Sequence, residues 1–174
     1  MAKLWRGYLR ILEKYPTATM ATTTGTLMAT GDSISQLAIE RKGRNYDVIR
    51  SGRFLVFGVF VFGPVIRGWY FILDKMYKGT KMAPLKMVVT DQSLFAPTAT
   101  GLFLSGMGVL KGETFTEIKE KFKQLFVPIL ISNYKIWPAA QLVNFYFMPL
   151  QHRVLFVNFV ALGWNTYLAW KSEK

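Results

Sequence analysis

The chain contains no cysteine and a single histidine, His152. The first absence excludes disulfides and thiolate metal sites, and the second leaves little for a histidine metal centre or an imidazole base. Charge is also scarce, with Asp, Glu, Lys and Arg making up 18% of 174 residues. Acid is the scarcer kind, ten residues against twenty-two basic ones, for a formal net charge of +12. No zinc-finger, RNA-recognition or other nucleic-acid signature accompanies that charge, so nucleic-acid binding is not expected. Nucleophile elbow, P-loop and zinc helix are missing as well. Asp32 and Asp91 are isolated carboxylates, and His152 sits beside Arg153 after a proline. The expectation is a protein that is not an enzyme, with no catalytic residue, metal or cofactor.

What the chain has in quantity is apolar surface. It is 51% hydrophobic and 16% aromatic, with a mean hydropathy of +0.21, high for a soluble domain. Its length suits one domain. Excess base on so apolar a chain fits anionic lipid, or import into a negative-inside compartment. The expected fold is a single all-α membrane domain, a helical bundle over 1–174. An interfacial helix over 1–14 precedes four spans at about 16–38, 54–73, 87–110 and 125–148, and an apolar helix over 154–170 closes the chain. A span needs about 20 residues.

In MAKLWRGYLRILEK, Leu4, Trp5, Tyr8, Leu9 and Leu12 recur at helical spacing beside Lys3, Arg6, Arg10 and Lys14. This basic amphipathic helix suits either an interface or a cap on the bundle. It also resembles a mitochondrial address, and no signal peptide is expected. The first span carries a stripe of Thr19, Thr22, Thr23, Thr26, Thr30 and Ser33, and a second of Ala21, Gly25, Ala29, Asp32 and Gln36. Such faces meet other helices or line water. Gly63-Pro64 and Pro97 predict bends, and Trp69 and Tyr70 read as interface anchors. Residues 111–123 read as a short surface helix with a capping box from Thr114 to Glu117. Basic residues number four, five, four and four in 1–14, 40–53, 74–86 and 111–123, so the positive-inside rule assigns no orientation.

The stretch NYKIWPAAQLVNFYFMPLQHR, 133–153, is apolar yet carries Lys135, Gln141 and Asn144 and is interrupted by Pro138 after Trp137. A proline inside a helix removes one hydrogen bond and crowds a carbonyl, so a break is expected there. Gln141 and Asn144 share a face beyond it, where they either bond neighbouring helices or meet a solute path. Four ionisable residues fall within apolar segments: Asp32, Arg67, Asp91 and Lys135. Unpaired at mid-membrane they would cost about 10 kcal/mol together. Pairing Asp91 with Lys135 and Asp32 with Arg67 would remove most of that, and so would a water-filled interior. Asp32, Gln36, Asp91, Lys135, Gln141 and Asn144 are the candidate pore-lining or buried polar residues. Arg67 and Arg153 are candidate pairing or anchor residues, and Trp137 and Pro138 set the expected helix break.

Nearly end to end, these residues resemble the Mpv-seventeen family of small mitochondrial and peroxisomal membrane proteins. WPAAQLVNF is the most specific part, followed by Pro149, Arg153 and the ending WNTYLAW. Gly31-Asp32 with Ser35-Gln36, Gly63-Pro64 with Gly68-Trp69-Tyr70, and Asp91-Gln92 with Ala96-Pro97 also match. LWRGYLRILEKYP and GDSISQLAIERKG are more similar to the mitochondrial than to the peroxisomal members. The resemblance implies a four-span protein of the mitochondrial inner membrane without a cleaved presequence, the peroxisomal membrane being the alternative. It implies a non-selective or weakly selective channel for small solutes, linked to membrane potential, reactive oxygen species and mitochondrial DNA and nucleotide homeostasis. Oxidation of cysteines, proposed to modulate some relatives, cannot operate in a chain without them. The competing readings are a non-conducting structural membrane protein and a coupled metabolite carrier. The expected partners are the lipid bilayer and small solutes, with a homo-oligomer left open.

Overall fold

The computed structural model describes residues 2–147 and 153–173, with the side chains of 2–5, 144–146 and 153–155 outside that description. Among the described residues the chain is all-α, without a strand. The helices are α1 (Ala2–Lys14), α2 (Pro16–Ile34), α3 (Val48–Phe57), α4 (Gly63–Tyr77), α5 (Ala83–Thr90), α6 (Ala96–Lys111), α7 (Phe115–Tyr146) and α8 (Arg153–Ser172). A π-helical turn, Ser35–Ile39, extends α2; a second, Gly58–Phe62, joins α3 to α4; a third, Asp91–Phe95, joins α5 to α6.

The last two π turns fall where bends are expected. Pro64 and Pro97 stand at the start of α4 and α6, directly after the wide turns. A proline ring presses on the carbonyl four residues back, here that of Phe60 or Ser93. Both carbonyls lie within a π turn, whose longer hydrogen bonds open the backbone at that point. The chain therefore continues as two long composite helices, Val48–Tyr77 and Ala83–Lys111, each apolar and long enough to cross a membrane. In their most apolar stretches only 17% and 33% of residues are buried within the protein. Phe60 and Phe71, 74% and 70% exposed, face outward from the first. A soluble protein would enclose such helices; here their apolar surface is left for lipid.

Three expectations are corrected. The surface helix foreseen over 111–123 and the span over 125–148 are one helix, α7, capped by Thr114 with Glu117 in the expected capping box. No break occurs at Pro138, because α7 keeps its helical backbone through both Pro128 and Pro138. Its side chains are held on either side of that proline: Trp137 packs edge-on against Trp164 of α8, centroids 6.4 Å apart, and Gln141 is buried. Finally, the Val48–Tyr77 helix starts ahead of the span expected over 54–73, since α3 begins at Val48.

The small stripe of α2 serves packing. A Cβ added at Gly58 would lie 2.5 Å from Gly25 Cα, and one at Gly63 equally close to Ala21 Cα, so α2 and the Val48–Tyr77 helix approach backbone to backbone. The pairing order reverses along the chain, which makes the two helices antiparallel. On its other side α2 meets α8, where Gly31 abuts Asn165 and Thr166. Met28, Phe54, Phe57, Phe103, Leu104, Met107, Ile129 and Leu168 form the core between these helices.

Candidate functional site

Two polar clusters are set into this bundle at different depths. The first is built on Asp32 and Arg50, 0% and 2% exposed. Asp47 caps α3 by accepting a hydrogen bond from Arg50 N at 2.9 Å, which places Arg50 in the first helical turn. The antiparallel packing then sets its guanidinium against the C-terminal end of α2. Arg50 Nε lies 2.6 Å from Asp32 Oδ1, and its two terminal nitrogens donate to the two Glu40 oxygens at 2.8 and 2.7 Å. Such a two-pronged pair fixes orientation as well as charge. Asp32 Oδ2 accepts from Ser51 Oγ at 2.6 Å and from Gln36 Nε2 at 2.8 Å. Gln36 is fully buried and also accepts from Asp47 N at 2.7 Å. Glu173, beyond α8, lies 4.0 Å from Arg50 Nε and 2.9 Å from Lys111 Nζ. Lys111 also faces Glu113, itself paired with Lys121. The Arg50 guanidinium holds the Glu40 carboxyl down at about 2, although partial burial pushes it the other way.

The second cluster centres on Asp91, in the π turn before α6. Its Oδ1 accepts from Trp69 Nε1 at 2.8 Å and its Oδ2 from Gln92 Nε2 at 2.9 Å. Trp69 stacks on Phe95, centroids 5.2 Å apart and planes within 10°. The next residue, Tyr70, is 44% exposed and lies near Asp91 and Gln141 of α7. Arg50 and Trp69 belong to the same composite helix, about 28 Å apart at 1.5 Å per residue.

The structure therefore brings Asp32 and Gln36 together in one place and Asp91 and Gln141 together in another. The expected partnerships are corrected: Asp32 pairs with Arg50, not Arg67, and Asp91 is satisfied by Trp69 and Gln92, not by Lys135. Lys135 is exposed, and no ion pair reaches it among the described residues. Trp69, read as an interface anchor, also donates to Asp91, and Tyr70 is 44% exposed. Arg67 is partly buried, with Nη1 enclosed and no protein partner. The side chains of Asn144 and Arg153 lie outside the described residues. On the Ala83–Lys111 helix, Thr98 is exposed and bonds Leu94 O, and Gly101 and Gly108 pack on α7.

Residues 108–169 match the family model described as Mpv17 / PMP22 family. The whole chain is 45% identical to the mitochondrial inner membrane protein Mpv17 of Danio rerio, with 100% of this chain and 99% of that protein aligned. The chain belongs to the Mpv17 / PMP22 family. It is 41% identical to the Mpv17 protein of Mus musculus, covering 98% of each, and 42% identical to protein sym-1 of Neurospora crassa, covering 94% and 95%. No solved structure matches the chain. As a member close to the inner-membrane Mpv17 proteins, it is a protein of the mitochondrial inner membrane.

Within this family member, sequence reasoning missed Arg50, Ser51, Glu173 and the polar roles of Trp69 and Tyr70. One signal was available for the first. Asp47 before the apolar-periodic run is a helix N-cap, and it moves Arg50 and Ser51 out of the connection and into a helix. Glu173 carried no such signal, because its partners come from α3 and α6, far away in sequence.

Proposed function

We propose that the chain is a passive small-solute channel of the mitochondrial inner membrane, not an enzyme and without a cofactor. In this reading α2, Val48–Tyr77, Ala83–Lys111 and α7 are four spans, and Asp91, Gln141, Tyr70 and Trp69 face the solute path. The observation that carries it is that Arg67 Nη1, Gln92 Oε1 and Asn133 Oδ1 are buried with no protein partner; of the other such atoms among the described residues, Asp32 Oδ1 and Arg50 Nε face each other in an ion pair and Glu113 Oε2 belongs to the first cluster. The first three sit on α4, the π turn before α6 and α7, the elements that supply Trp69, Asp91 and Gln141. At membrane depth such groups call for water or a polar solute. A leak so formed would act on membrane potential, and through it on reactive oxygen species and the nucleotide supply for mitochondrial DNA. Small solutes and the bilayer are its partners in this reading, with homo-oligomerisation open to test.

A non-conducting structural protein is the second reading, favoured by the Asp32–Arg50 cluster. Every charge there is matched, and the helices beside it touch backbone to backbone. Planar-bilayer recording of the purified protein separates the two. Voltage-dependent steps whose size or selectivity changes in Asp91→Asn and Gln141→Leu, with Asp32→Asn altering stability instead, support the channel. Silence of folded wild-type protein at every voltage supports the structural reading, and saturable counter-exchange in liposomes would point to a carrier.

A further inference from the structure

We propose that the groove between α1 and the threonine face of α2 is the seat of one anionic phospholipid, its acyl chain in the groove and its phosphate at the basic rim. The groove encloses about 540 Å³ between Tyr8, Ile11 and Tyr15 on one side and α2 from Ala18 to Leu27 on the other. Of the four threonines that line it, three have engaged hydroxyls: Thr19 and Thr22 donate to Tyr15 O and Ala18 O at 2.8 Å, and Thr23 bonds the Tyr8 hydroxyl at 3.2 Å. What these threonines offer a guest is therefore methyl and aromatic surface, which suits hydrocarbon better than a polar solute.

Length and charge choose the occupant. From Ala18 to Leu27 the groove runs about 13 Å at 1.5 Å per residue. That is near half of the roughly 30 Å hydrocarbon core, the depth of one leaflet. At its mouth the Lys14 ammonium stands 5.2 Å from the centre of the Tyr15 ring, which is itself part of the wall. Arg10 is exposed and lies one helical turn back on the same face. Glu13 is the single acid of α1, so the rim remains net basic. Basic residues on an amphipathic helix beside an apolar slot match a phosphate headgroup attached to a chain. Free phosphate would use the rim alone, and a zwitterionic lipid would use mainly the slot.

Native mass spectrometry tests this on full-length protein released from nanodiscs of phosphatidylcholine with a minor share of phosphatidylglycerol. The expected result is one retained lipid, enriched in phosphatidylglycerol over the bath ratio. Arg10→Gln and Lys14→Gln should each lower the enrichment about fivefold while a lipid is still carried. Thr22→Phe, at an exposed position whose hydroxyl bonds only its own helix, should fill the slot and remove the retained lipid. Should that variant fail to fold, Thr26→Leu reads the same wall. Retention at the bath ratio by the wild type, or enrichment indifferent to both the charge and the wall variants, would overturn the assignment.

Discussion

The two acids that enter the helical body have opposite surroundings. Asp32 is met by a guanidinium, a hydroxyl and an amide, and its neighbour Gln36 is satisfied at both ends. Asp91 is met by an indole and an amide and, among the described residues, by no ion pair; Gln92 Oε1, and on α4 and α7 Arg67 Nη1 and Asn133 Oδ1, lack protein partners. The first arrangement is a closed knot in which every ion has its counter-ion. The second is polar and includes Gln92 Oε1 without a protein partner, which is the feature the proposed conduit would use. The same residue type at membrane depth thus takes different work from its neighbours alone.

That contrast can be broken most directly at Arg50. Arg50→Ala leaves Asp32 buried and uncompensated, so a loss of about 3–5 kcal/mol is expected, read as a lowered thermal unfolding midpoint in detergent. A loss no larger than that of Asp91→Asn would erase the distinction between the two regions. Next in size come the contacts that hold each cluster in place. Gly58→Ala forces α2 and the Val48–Tyr77 helix apart and should cost about 1–3 kcal/mol, measured the same way. Trp69→Phe keeps the stack on Phe95 and removes the donor to Asp91, for about 1–3 kcal/mol. Because that variant touches only the incomplete cluster, it should also change single-channel behaviour, which Gly58→Ala should leave alone.

Acid offers a finer separation. The Glu40 carboxyl lies at about 2 in the folded protein, below its ordinary 4.5, because Arg50 bonds its charged form. A depressed value means stability that is present above pH 4.5 and lost as pH falls through about 2. Unfolding midpoints of wild type and Glu40→Gln should therefore converge across that window, and parallel curves would place the acid sensitivity elsewhere. Smallest of all, Thr114→Ala removes the cap of α7 and should cost about 1 kcal/mol. It lies near the knot in sequence yet outside it, and serves as the reference for an ordinary surface loss.

Much of this was legible before the fold. Apolar runs marked the helices, Gly63-Pro64 and Pro97 fell where π turns interrupt them, and Thr114 to Glu117 marked a helix start. Asp32, Gln36, Asp91 and Gln141 stood out because polar groups are costly in hydrocarbon. Their partners did not stand out. Arg50 sits among five basic residues of 40–53, and only its place in the first turn of α3 distinguishes it. Lys135 misled for the converse reason: its flanks are apolar, but its side chain points out of the bundle. Pro138 misled because a local rule was outweighed by packing on both neighbours of the proline.

By itself, then, the order of residues determined the helices, their two proline-linked wide turns, the family and the membrane. These follow from periodicity, from backbone chemistry and from the cost of burying charge, all of which act over a few residues. Which cation answers Asp32, and that none among the described residues answers Asp91, was decided only when α2, the Val48–Tyr77 helix and α8 packed together. Ion pairing is set by distance in space, and that distance was fixed by the close approach of Gly25 to Gly58 and of Ala21 to Gly63.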